Sequence, residues 1–127
     1  MNNILMIDKF FAQLAFLSLL LVVAKIVTKR VRKRLNLEKA DSVLKKLHKP
    51  AGILTVFAGI IHMICSFRGF GIYSIWAYIF GMISILSIIL AIYMFMLNKR
   101  MQNKWLICHR MFSAIAVISL VLHLALR

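Results

Sequence analysis

The chain has 127 residues, 63% of them hydrophobic, and its 17 Lys or Arg outweigh three Asp or Glu to give a net charge of +14. Uncharged runs at 50–67, 69–98 and 111–126, with a single proline, exclude a soluble globular core and imply one integral membrane domain over residues 1–127. Most of the basic charge stands in two short loops beside apolar runs, so it reads as a membrane-orientation signal, and a nucleic-acid partner is excluded.

The expected fold is all-α, a four-helix transmembrane bundle with spans at about 10–27, 48–67, 72–97 and 105–126. The first span is preceded by Asp8-Lys9 and followed by Lys29-Arg30-Val31-Arg32-Lys33-Arg34, the reverse of a cleavable signal peptide, so it is retained. Lys25, near its inner end, is expected to snorkel to the headgroups. A polar connection from Lys29 to Lys46 follows, in which Ser42 is a candidate cap for a short helix carrying Val43, Leu44 and Leu47. Pro50 is expected either to bend the second span or to begin it. Arg68-Gly69-Phe70-Gly71 reads as a tight outer turn, Tyr73 and Trp76 as outer-interface residues, and Trp105 as their inner counterpart.

Charge asymmetry gives the orientation. Nine Lys or Arg lie between Lys29 and Lys49 and four between Lys99 and Arg110, against Lys9, Arg68 and Arg127 on the opposite side. Both termini are therefore expected outside a plasma (cytoplasmic) membrane that the chain crosses four times, with spans two and four running parallel.

Four histidines occur in the chain, at positions 48, 62, 109 and 123. Within each pair the step is fourteen residues, which on a helix is about 40° short of four turns and about 21 Å along the axis, so both rings leave one face. Parallel spans then set His48 level with His109 and His62 level with His123. Two histidines of one helix stand too far apart to chelate one ion. A bare zinc between His48 and His109, with Cys108, would leave the second pair unexplained. Two haems, each gripped by one imidazole from either helix, account for both pairs. Positions at helical spacing from the histidines are mostly small: Gly52, Thr55, Gly59 and Ser66 on one span, Ser113, Ala116 and Leu120 on the other. They leave room for a flat macrocycle, although small residues also suit close packing of membrane helices. Met63 and Met111 point well away from that face and are read as packing residues. Cys65 and Cys108 fall near opposite ends of different spans, which argues against a disulfide. Trp105 stands where a covalent haem motif needs a second cysteine, so haem would be held noncovalently.

At these histidines the chain resembles the di-haem core of membrane b-type cytochromes, a group that includes respiratory cytochrome b and the membrane domain of ferric reductases and NADPH oxidases. The resemblance covers spans two to four. It implies two haem b groups, the inner one on His48 and His109 and the outer one on His62 and His123, with Gly52, Gly59, Ser113 and Ala116 beside them. It also implies transmembrane electron transfer from the cytoplasmic side to an outer acceptor, which would be a ferric species, a flavoprotein or a quinone. Lys46, Lys49 and Arg110 inside, and Arg68 and Arg127 outside, are chiefly orientation signals and secondarily partners for haem propionates. The chain departs from the family in lacking a nucleotide or flavin domain, a long quinol-site loop and an acid within the bundle. Two further readings stand beside it. One is a haem-bearing anchor subunit of a dehydrogenase, in a homo- or hetero-oligomer that exchanges electrons with quinone. The other is a cofactor-free small exporter or accessory subunit, disfavoured because Asp8, Glu38 and Asp41 are all expected outside the spans, whereas proton-coupled export generally needs an intramembrane carboxylate.

Overall fold

A computed structural model describes residues 2–67, 74–102 and 104–126. Among these residues the chain is helical almost throughout and contains no strand. Its elements are α1 (Asn2–Leu35), α2 (Glu38–Phe67), α3 (Ile75–Met96), the single turn α4 (Asn98–Met101) and α5 (Lys104–Ala125). Helices α1, α2, α3 and α5 are each long and apolar enough to cross a membrane. The protein is therefore an all-α membrane protein with four candidate spans. The expected outer turn from Arg68 to Gly71, Tyr73 and Arg127 lie outside the described residues.

Two boundaries differ from expectation. The polar connection from Lys29 to Lys46 is not a loop, because the basic run Lys29–Arg34 consists largely of good helix formers whose charge is favourable at a helix C-terminus, and it extends α1 to Leu35. Asn36 then takes a left-handed conformation (φ 49°), and the Leu37 amide donates back to the Arg32 carbonyl at 3.1 Å, the six-to-one bond of a Schellman ending. Ser42 consequently lies inside α2 and caps nothing: the Asp41 amide already donates to the Leu37 carbonyl at 2.9 Å. Pro50 neither begins nor interrupts α2. A proline removes one amide bond and crowds the carbonyl four residues back, but the turns on either side keep their own bonds and continue the helix.

The chain forms two compact units, Met1–His62 and Met63–Arg127. In the first, α1 runs against α2. At the charged end Asp41 accepts from Lys25 Nζ and from Arg32 Nη1, each at 3.1 Å, so Lys25 is held in an ion pair. Further along, the Thr55 hydroxyl lies within bonding distance of both Ser18 Oγ (2.9 Å) and Ala51 O (2.8 Å), and Ser18 in turn bonds the Leu14 carbonyl. Helical Ser and Thr hydroxyls satisfied in this way can be buried between helices at little cost.

In the second unit α3 pairs with α5 through small buried residues, Ala77, Ser84, Ser87 and Ala91 on α3 and Ala116 and Ser119 on α5. Small side chains let the two backbones approach. The last turn of α2 joins this unit: the Tyr78 hydroxyl donates to Ser66 O at 3.2 Å, and the Tyr78 ring stacks on Phe67. Large apolar side chains face outward throughout, among them Ile53, Phe57, Leu86, Ile118 and Val121. A chain that buries alanine and serine while exposing leucine, isoleucine and phenylalanine is built for a hydrocarbon solvent. Cys65 and Cys108 are both free thiols.

Candidate functional site

Because α2 is continuous from Glu38 to Phe67, His48 and His62 share one helix, as the fourteen-residue calculation requires. His109 and His123 share α5. All four are half-buried.

The clearest geometry is between α3 and α5. His109 Nδ1 donates to the Ala91 carbonyl at 2.8 Å, and His123 Nδ1 donates to the Ala77 carbonyl at 2.7 Å. Midway, the Ser84 hydroxyl donates to the Ala116 carbonyl at 3.0 Å. The three links hold one register: positions 91, 84 and 77 on α3 face 109, 116 and 123 on α5. Each step of seven residues is about 20° short of two turns and about 10.5 Å of rise, so an antiparallel pair repeats its contacts at that interval. The histidines are thus the outer rungs of a three-rung ladder.

Gly81 completes the His123 rung. A Cβ at Gly81 would lie 3.1 Å from His123 Nδ1 and 3.3 Å from Cε1. The imidazole therefore lies across the bare backbone of α3, which lets it reach a carbonyl one turn earlier. At the other end, Trp105 packs edge-on to Phe95 and lies 6.2 Å, centroid to centroid, from the His109 ring.

His62 is held differently. Its Nδ1 lies 2.7 Å from Asp8 Oδ1, and the Asp8 side chain is only 5% exposed. Asp8, expected ahead of the first span, is part of a helix. α1 begins before Asp8, and the carboxylate faces α2 in the second turn of the helix. An acid can occupy such a position because a hydrogen-bonded imidazole offsets its desolvation.

These contacts assign tautomers. A backbone carbonyl can only accept, so His109 and His123 carry a proton on Nδ1, and a carboxylate acceptor places one on Nδ1 of His62 as well. A histidine whose Nδ1–H is committed to a carbonyl or carboxylate is prepared as a metal ligand through Nε2, with its ring orientation set.

The small residues divide. Gly52 has nothing within 4 Å of where a Cβ would stand, and it borders His48 one turn along. Gly59 is buried on the same helix. Ser113 bonds its own helix through the His109 carbonyl at 2.7 Å. Thr55 and Ala116, 4% and 1% exposed, pack against α1 and α3 respectively. Among the described residues no group of three His, Cys, Asp or Glu is assembled to hold a metal ion, so the zinc reading of His48, His109 and Cys108 has no such support.

Sequence reasoning missed Asp8, Gly81 and the carbonyls of Ala77 and Ala91. One trace of the last was legible: Ala77, Ser84 and Ala91 repeat small residues at the same interval of seven that divides the histidine spacing. Compared with known protein families, with curated proteins and with solved structures, the chain finds no match in any of the three.

Proposed function

We propose that this protein is a transmembrane electron-transfer cytochrome that holds two b-type haems through His48, His109, His62 and His123. The observation that supports the reading is the commitment of Nδ1 in three of the four histidines, the arrangement in which a metal-ligating histidine binds through Nε2. In this assignment His48 and His109 hold an inner haem and His62 and His123 an outer one. Gly52, Gly59 and Ser113 are the small residues beside the ligands, and Ala116 fixes the packing of α5 between its two histidines. Both termini lie outside the plasma membrane, and electrons pass from a cytoplasmic donor to an outer acceptor.

Haem iron with two imidazole ligands supplies one-electron transfer and no open coordination position. The chain's own contribution is orientation and polarity. The carbonyls of Ala77 and Ala91 set the planes of the His123 and His109 rings. The outward-facing apolar side chains keep water from both levels, which shapes the reduction potential of anything bound there.

The test is an absorption spectrum of the protein purified after expression with ample haem. A b-type spectrum with two haems per chain is expected, and a colourless protein would overturn the reading. One observation favours a second reading. Asp8 puts a buried carboxylate on a helix facing His62, which is what a proton-coupled exporter needs and what the sequence alone had argued against. A colourless protein that moves protons against a cation gradient would establish that alternative.

A further inference from the structure

The three described Nδ1 partners are not equivalent. His109 and His123 donate to neutral backbone carbonyls, whereas His62 donates to a carboxylate at 2.7 Å. A hydrogen bond to a charged acceptor is stronger than one to a carbonyl dipole and moves electron density from the acceptor into the ring. In a weakly screened interior that effect is enlarged, and Asp8, 5% exposed, meets the condition.

We infer that Asp8 is a positioning residue that makes His62 the most electron-donating of the three ligands whose partners are described, and so lowers the reduction potential of the iron His62 holds. This rests on the haem reading above. A more basic Nε2 favours the ferric over the ferrous state of the one-electron couple, because the higher charge gains more from a stronger donor. Asp8 also sets the orientation of the ring, since Nδ1 and Nε2 are rigidly related. The Nδ1 acceptor of His123, by contrast, is the neutral carbonyl of Ala77. An iron at His62 is then a strong reductant toward an acceptor on its own side of the membrane.

The experiment is a spectroelectrochemical titration of the purified holoprotein alongside Asp8→Asn, Asp8→Ser and Asp8→Glu. In Asp8→Asn one of the two haems should become easier to reduce by about tenfold in its equilibrium constant, ~59 mV for one electron, while the other stays put. Asp8→Glu, which keeps the carboxylate, should return most of the shift. Asp8→Ser provides a neutral and smaller side chain should the amide not assemble. Two haems with unaltered potentials in the neutral variants would overturn the inference and leave the haem assignment standing. Loss of one haem from both neutral variants, with both retained in Asp8→Glu, would overturn it as well and make Asp8 a folding residue. A wild-type protein without haem would instead remove the reading beneath it.

Discussion

A single missing methyl group governs the His123 rung. The ring meets α3 where Gly81 has no side chain, and an added Cβ 3.1 Å from Nδ1 is tighter than most such contacts, so the ring must give by a few tenths of an ångström. Gly81→Ala should therefore tilt the ring off the Ala77 carbonyl. An unsatisfied buried donor costs about 1–3 kcal/mol, while alanine returns up to about 1 kcal/mol of helix propensity, so the net effect is a loss. Thermal unfolding in detergent should show a lower midpoint, and, on the proposed haem assignment, the holoprotein should lose its outer haem before its inner one. Replacing His62 or His123 by alanine, one at a time, should likewise remove the outer haem and spare the inner. Loss of only the inner haem would reverse the assignment of the pairs.

At the scale of helices, the α3 and α5 pairing depends more on closeness than on the hydroxyl that bridges it. Ser84→Ala deletes a bond that is typically worth about 0.6 kcal/mol between membrane helices, and leaves the spacing intact. Ala116→Leu forces volume into a position 1% exposed and should cost about 1–3 kcal/mol. It should also break the histidine rungs on either side, because both need the backbones close. Denaturation of the two variants should rank them in that order, and the reverse ranking would mean that the hydroxyl, not the packing, holds the pair. In the first unit, Asp41 ties Lys25 and Arg32 of α1 to the start of α2. Asp41→Asn should lower the unfolding temperature, with a difference from wild type that narrows in high salt as screening replaces the lost pairing.

For the molecule as a whole, the two hairpins share a plan. In each, the second helix bears histidines fourteen apart with a small residue midway, Thr55 or Ala116, that touches the first helix. The nine basic residues from Lys29 to Lys49 should hold the turn at Asn36 inside the cell. A reporter active only in the cytoplasm should function when inserted at Asn36 and fail when fused after Arg127; the opposite result would invert the topology. If that orientation holds, reductant supplied to one face of sealed vesicles should reduce the nearer haem first.

Much was readable from the linear chain because helices respond to local composition. The four spans follow from uncharged length, and the shared face of His48 and His62 follows from 100° per residue once α2 proves continuous through Pro50. Helix ends were less legible: basic residues that read as a loop are good helix formers, and α1 stops only where Asn36 turns left-handed. The histidine partners were not legible at all. Asp8 lies 54 positions from His62, Ala77 46 from His123 and Ala91 18 from His109. Periodicity states which way a side chain leaves its own axis. It says nothing about how far a neighbouring helix slides along that axis, and it is this register, set by small residues packing against one another, that selects a carboxylate for one imidazole and carbonyls for two others.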